Sequence, residues 1–175
     1  IEFLAQKNYG KWSGWFAYTL AWADRIFPDG SINQGKRFPA RYDRRHDISI
    51  TVNYQISKKT DLSASWVYAS GNTATLPLEE HYGDIPSVEN SFGSDTYTYA
   101  EHRNNYRMPS YHRLDLSINF HKTFSWGSRV LNLSVYNAYN RKNPFMLYTD
   151  KNDLGQHKLY QLSLFPFIPS ISYSI

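Results

Sequence analysis

The strongest constraint on this chain is the parity of its residues. In "HDISITVNYQIS", His46–Ser57, the residues Ile48, Ile50, Val52, Tyr54 and Ile56 are apolar, and the intervening Asp47, Ser49, Thr51, Asn53 and Gln55 are polar. Successive side chains of a strand point to opposite faces, so this segment is a strand with one oily and one wet face. The alternation recurs along the chain. Phe16, Tyr18, Leu20 and Trp22 share a parity, as do Leu62, Ala64, Trp66 and Tyr68. So do Leu114, Leu116, Ile118 and Phe120, opposed by Arg113, Asp115, Ser117 and Asn119, and likewise Leu131, Leu133 and Val135. The expectation is an all-β chain without helices.

Seven strands are predicted, at about 2–7, 13–27, 46–57, 61–71, 110–124, 129–141 and 158–175. Tight turns join some of them, at 8–12, 57–60 and 125–128; long polar connections at 28–45, 72–108 and 142–157 join the others. Short and long connections alternate strictly. In an antiparallel meander that puts all short turns at one end and all long loops at the other, the arrangement of outer-membrane barrels.

Composition narrows the choice. The chain has no cysteine, which excludes disulfides and zinc–thiolate sites. Its 15 Tyr, 10 Phe and 5 Trp suit strands, and Trp12, Trp15, Phe124 and Trp126 gather near the short turns, where an aromatic girdle would sit. The net charge of +4 is mild and forms no stripe of the kind that binds nucleic acid. No run approaches the roughly 20 apolar residues of a membrane helix, but a barrel strand hides half its residues in the lumen. The predicted strands are also longer than the ~5–6 residues usual in globular sheets. The expected fold is therefore an antiparallel transmembrane β-barrel segment. Its lipid-facing residues are Ile48, Ile50, Val52, Tyr54, Leu114, Leu116, Ile118, Phe120, Leu131, Leu133 and Val135. A closed antiparallel barrel needs an even strand number, so seven strands are expected to belong to a larger barrel.

Little in the chain suggests catalysis. No G-x-S-x-G, H-E-x-x-H or phosphate-binding loop occurs, and the six His lack ligand spacing. "EEHYGD", Glu79–Asp84, could offer oxygens to a cation, but calcium needs several that converge. No enzyme activity and no cofactor are expected. Two segments begin alike, "RHDISI" and "RLDLSI", which suggests lumen-facing ion pairs Arg45–Asp47 and Arg113–Asp115. Loop 28–45 is basic, with Arg41, Arg44 and Arg45; loop 72–108 is acidic and holds Tyr82, Tyr97 and Tyr99. Either the loops pack on each other by charge, or these six residues contact a ligand at a barrel mouth.

The runs "RFPARYDRRHDISITVNY", "WVYASGN", "MPSYHRLDLSINF", "LNLSVYNAYNRKNPF" and "LFPFIPSISYSI", in this order and spacing, resemble the C-terminal end of TonB-dependent outer-membrane receptors. The similarity spans nearly the whole chain except the loop around 75–106. It implies the last seven strands of a 22-stranded barrel whose lumen holds a plug. It also implies outer-membrane location, with long loops extracellular and the short turns and C-terminus periplasmic. The activity implied is active import of a metal chelate, vitamin, glycan or peptide. Implied partners are the rest of the barrel and plug, the TonB complex, the bilayer, the barrel-assembly machinery and, in some members, a surface lipoprotein; nucleic acid is not among them. Plug and TonB box are expected to lie outside this sequence. The family usually ends in an aromatic residue where this chain has Ile175. Two other readings of the residues stand beside this one: a passive porin or structural barrel, and a soluble β-sandwich binding module. In the last strand, Leu162 and Leu164 are out of phase with Ile171, Tyr173 and Ile175, and a one-residue bulge near Pro166 and Pro169 is expected to restore one face.

Overall fold

A computed structural model describes residues 1–76, 79–85, 93–99, 102–154 and 157–175. The protein is all-β, with 61% of residues in strands; the only helical element among the described residues is one turn of 3-10 helix, Asn33–Gly35. Strands are numbered in chain order. The chain divides into two compact units.

The first unit comprises Ile1–Ala21, Arg44–Gly71 and Pro109–Ile175. Its centre is a seven-stranded antiparallel sheet of β1 (Glu2–Lys7), β2 (Trp12–Leu20), β5 (His46–Ser57), β6 (Thr60–Ala69), β11 (Tyr111–Phe124), β12 (Gly127–Tyr136) and β15 (Ile168–Ser174), in that order. Each strand pairs with its neighbour in the sheet sequence, while β1 and β15 each pair on one side only. The unit also holds a hairpin of β13 (Pro144–Lys151) and β14 (His157–Ser163).

Register carries the parity of single strands across the whole sheet. Phe16 lies opposite Ile50, Ile50 opposite Trp66, and Trp66 opposite Leu114. The next row runs Val52, Ala64, Leu116, Val135 and Pro169, and the one after it Trp12, Tyr54, Leu62, Ile118, Leu133 and Ile171. Directly opposed residues point the same way, so the apolar residues expected together share one face, except Trp22, which lies beyond the end of β2 in the other unit. The other face carries Ser13, Asn53, Ser63, Ser117, Ser134 and Ser170 in a single row. Trp15 departs from expectation: it pairs with Gln6 and Thr51, on the polar face.

The short connections are a loop of residues 8–11, a turn at Lys58–Lys59 and a turn at Ser125–Trp126. Three predicted boundaries are corrected. The second strand ends at Leu20 rather than near 27, because the Ala23 amide donates to the Asp43 carboxylate at 2.8 Å instead of continuing the ladder. The sixth strand ends at Tyr136, where Asn137 turns the chain with φ +55°. The final strand is not 158–175 with one bulge: β14 pairs with β13, the backbone breaks at Phe165 (φ +55°), and only β15 joins the sheet. The two phases of that segment belong to two different sheets.

The second unit comprises Trp22–Asp43 and Asn72–Met108. It contains short ladders between β3 (Asp24–Arg25) and β4 (Phe38–Pro39) and between β7 (Thr73–Ala74) and β10 (Tyr106–Arg107). It also contains a hairpin of β8 (Glu79–Ile85) and β9 (Gly93–Tyr99). Phe38, Ala40, Asp43 and Thr73 are buried there. Thr73 donates its hydroxyl to the Ala40 carbonyl at 2.8 Å, and the Asn104 side chain donates to the Pro39 carbonyl at 2.7 Å. Arg107 binds both the carboxylate of Asp43 and its carbonyl, the latter at 2.8 Å.

Gly14 shows how closely β2 and β5 approach: a Cβ there would lie 2.1 Å from the Thr51 carbonyl oxygen. Gly14→Ala is therefore expected to break the β2–β5 ladder locally and reduce the yield of folded protein, whereas Ala17→Gly, on the same strand, changes it little. Protease resistance of the two variants, measured side by side, checks this.

Candidate functional site

The two faces of the large sheet differ in chemistry. On the apolar face, aromatic rings mark both ends. At the short-turn end Trp12 stacks on Tyr54 at 4.2 Å and Phe124 on Trp126 at 5.3 Å. At the other end Tyr18 stacks on His46 and bonds its Nδ1 at 2.9 Å, and Tyr68 stacks on His112, whose Nδ1 meets the Tyr139 hydroxyl at 2.7 Å. From Trp12 to Tyr18 or from Tyr54 to Ile48 is six residues, roughly 20 Å of strand. Between these rings the face carries one charged residue on the sheet strands, Lys7 at the end of the edge strand β1, opposite Gly14. The face is uncovered: Leu116 is 43% exposed and Ile171 70%. An open hollow of about 870 Å³ on it is bordered by Trp12, Tyr54, Leu62, Leu116, Leu133 and Ile171 among others. The lining surface is almost wholly apolar, which excludes water without selecting a polar ligand.

The polar face is a ladder of small hydrogen-bonded side chains. Thr51 meets Ser65 at 3.1 Å, and Ser63 donates to Asn53 at 2.5 Å. Asn132 donates to Asn119 at 2.6 Å, Asn119 donates to Asp61 at 2.7 Å, and His121 closes on the same carboxylate. Leu4, Trp15, Val67, Val130 and Ile168 are the larger apolar exceptions on this face.

At the long-loop end of this face the predicted pair Arg113–Asp115 forms at 2.9 Å. The guanidinium also donates to the Tyr111 and Tyr136 hydroxyls and lies 4.0 Å from the Tyr136 ring centroid. The second oxygen of Asp115 accepts the Asn137 amide at 2.9 Å. Arg45 and Asp47, the other predicted pair, do not form an ion pair with each other among the described residues. Their motif, unlike that of Arg113, is not followed by a Tyr–Asn turn on the adjoining strand.

Asn137 is fully buried and anchors a knot that sequence reading did not resolve. Its side chain accepts the Arg141 amide at 3.0 Å and donates to the Arg141 and Phe165 carbonyls at 2.9 and 3.2 Å. Asn140 accepts the Phe167 amide at 3.0 Å. Asn143 clamps the backbone of His112, accepting its N–H at 3.0 Å and donating to its carbonyl at 2.9 Å. Arg141 adds a bond to the Ser110 carbonyl at 2.9 Å. The three asparagines of "NAYNRKNP" thus tie β11, β12 and the start of β15 together. The spacing was visible in the sequence; the pairing of each amide with backbone groups was not.

The loop residues divide. Arg41 lies in the second unit, where its carbonyl accepts the Thr73 amide at 3.2 Å; Arg44 and Arg45 lie in the first. Tyr82, Tyr97 and Tyr99 lie in the β8–β9 hairpin, opposite Thr96, His81 and Glu79; their side chains, like those of Glu79–Asp84, fall outside the described ones. No cluster of metal-ligating side chains occurs among the described residues.

Set against known proteins, the chain matches no family model, no curated protein and no solved structure. Its functional reading therefore stands on the two faces and the sequence resemblance.

Asn137→Ala would leave two carbonyls and an amide without their partner and place a Cβ-bearing aliphatic residue at positive φ. The expected destabilisation is about 2–4 kcal/mol, and Asn137→Gly, which relieves the backbone but not the lost bonds, is expected to fall between Ala and the parent. Urea unfolding followed by tryptophan fluorescence ranks the three.

Proposed function

We propose that this chain is wall of an outer-membrane β-barrel, and that the barrel is an energised importer of the TonB-dependent receptor class. The observation that carries the first part is the apolar face: continuous over seven strands, left open to the surroundings, and uncharged between its aromatic ends except for Lys7 on the edge strand. In water such a face is a liability, since monomeric proteins seldom expose apolar patches beyond a few hundred Å². In hydrocarbon it is the required surface. Four strands, β5, β6, β11 and β12, have 10–14 residues, enough to cross a bilayer core at a tilt of about 45°. Lipid tolerates only backbones whose polar groups are paired, and an antiparallel meander pairs them between strands until the barrel closes. The edges of β1 and β15 are where further strands of a larger barrel would add. A β-sandwich would instead need a second layer over Leu116 and its neighbours, which are exposed here.

The importer reading is supported by the resemblance of the ordered motifs and by the alternation of turns and long connections. The asparagine knot organises "NAYNRKNP", part of one of the five runs that carry that resemblance. On this reading the polar ladder lines the lumen beside a plug, the long connections face outside, and the short turns face the periplasm. Substrate contact falls to the long connections, with Arg41, Arg44, Arg45, Tyr82, Tyr97 and Tyr99 as candidates. The imported compound would be a nutrient too large for passive pores, such as a metal chelate, vitamin, glycan or peptide.

Two measurements test the proposal. Ile50→Arg and Leu116→Arg place a cation toward hydrocarbon at a cost of about 2–4 kcal/mol near mid-bilayer, while Ser49→Arg and Ser117→Arg place it on the hydrated face. The first pair is expected to lose heat-modifiable folded barrel and the second to keep most of it; equal losses on both faces would reject the membrane reading. In intact cells, Cys at Lys142 is expected to react with an impermeant maleimide while Cys at Ser125 does not, and substrate uptake is expected to stop when the proton gradient or the TonB complex is removed. Uptake that persists without either identifies a passive pore.

A further inference from the structure

The short-turn rim of the sheet unit is basic. Lys7, Lys11, Lys58, Lys59, Lys122 and Arg129 lie on it; its one side-chain carboxylate among the described residues, Asp61, belongs to the polar face and is held by His121 and Asn119. Two of these cations are placed in an unusual way. Lys122 and Arg129 are directly opposed across β11 and β12. By strand parity they continue the column Leu116, Ile118, Phe120 and its partners Val135, Leu133, Leu131, so they stand on the apolar face, one step beyond its last aliphatic row. Like charges in direct cross-strand opposition repel, and side chains so paired have Cβ atoms about 5 Å apart. No ion pair joins either to a carboxylate among the described residues. Both instead sit 5.1 Å from the Phe124 ring, which stacks on the exposed Trp126.

Resting on the membrane reading above, we propose that Lys122 and Arg129 form a binding site for the phosphate of an anionic phospholipid headgroup, in the leaflet beside the short turns. An ammonium and a guanidinium on directly opposed residues supply donors from two sides, and a bound phosphate removes the repulsion between them. The position fits the ligand's architecture. Phe124 and Trp126 lie at the depth where aromatic rings meet the headgroup layer, Phe120 and Leu131 lie beside the acyl chains, and Lys7, Lys58 and Lys59 raise the local potential. A free phosphate ion would use the two cations but gain nothing from the apolar column below them.

The test uses the full-length protein, extracted from membranes in neutral detergent. Phosphatidylglycerol or phosphatidylcholine is added in mixed micelles, and retained lipid is read by native mass spectrometry. Folded barrel is scored in parallel by heat-modifiability. The parent is expected to retain phosphatidylglycerol over phosphatidylcholine by at least tenfold, each cation contributing roughly fivefold. Lys122→Gln with Arg129→Gln is expected to lose most of that preference, Lys58→Gln with Lys59→Gln much less. The charge-keeping exchange, Lys122→Arg with Arg129→Lys, is expected to retain it. Arg129→Glu replaces repulsion by an ion pair, so it is expected to abolish the preference while raising the melting temperature in lipid-free detergent. A folded barrel with equal retention of both lipids, or with a preference that the double Gln variant keeps, overturns the site and leaves the barrel reading intact. Displacement of phosphatidylglycerol by millimolar inorganic phosphate overturns the lipid assignment. A protein that never yields a heat-modifiable form overturns both.

Discussion

Cross-strand register is the constraint on which the rest of this structure depends. With a side-chain period of two, a slip of one residue would move a strand's apolar set to the wet face and its polar set to the oily one. A slip of β11 alone would put Asp115, Asn119 and His121 among Leu62, Leu133 and Ile171. Six ladders have to agree, and each is pinned locally. Two-residue turns set β5 against β6 and β11 against β12. Gly14 allows β2 to lie close on β5. Hydrogen bonds such as Ser63 to Asn53 and Asn132 to Asn119 join polar side chains that meet only in the correct register.

The polar groups are organised by the same economy. Small side chains dominate the hydrated face, where each can satisfy a neighbour without long, entropically costly arms. The larger charges appear at its ends and come with several partners each. Arg113 is held by a carboxylate, two phenols and a ring, and the Asp61 carboxylate by an amide and an imidazole. In the second unit, a basic and an acidic segment do associate, but with the signs exchanged. The buried acid, Asp43, comes from the basic stretch, and its partner, Arg107, from the acidic one. Net charge of a loop therefore says little about which of its residues makes the contact.

That case marks the limit of what the sequence shows. Faces were legible because parity is a property of consecutive residues: Ile48 to Tyr54 and Leu114 to Phe120 needed no knowledge of their neighbours. Strand ends were less so. "AWADRIF" continues the alternation past Leu20, and only the long-range acceptance of the Ala23 amide by Asp43 shows where the ladder stops. The two phases of the final segment pointed to an irregularity near Pro166, but a bulge and a change of sheet look the same in one dimension. The asparagine run was recognisable as a pattern, while the work of each amide depends on Phe165, Phe167 and His112, distant in the chain.

The tight turns also carry a consequence for how the chain reaches this state. Loop closure costs entropy that rises with loop length, and isolated hairpins form within about 1–10 μs. The β5–β6 and β11–β12 pairs close over two residues, whereas β6 meets β11 only after the whole of Ser70–Ser110 has been brought round. The expected order of assembly is thus hairpins first and their lateral association second, so that the molecule is built from prefabricated pairs rather than strand by strand. Pulse-labelled amide exchange would show it as protection of the Phe120–Leu131 rung before that of the Leu114–Trp66 rung; simultaneous protection would mean that the seven strands condense together.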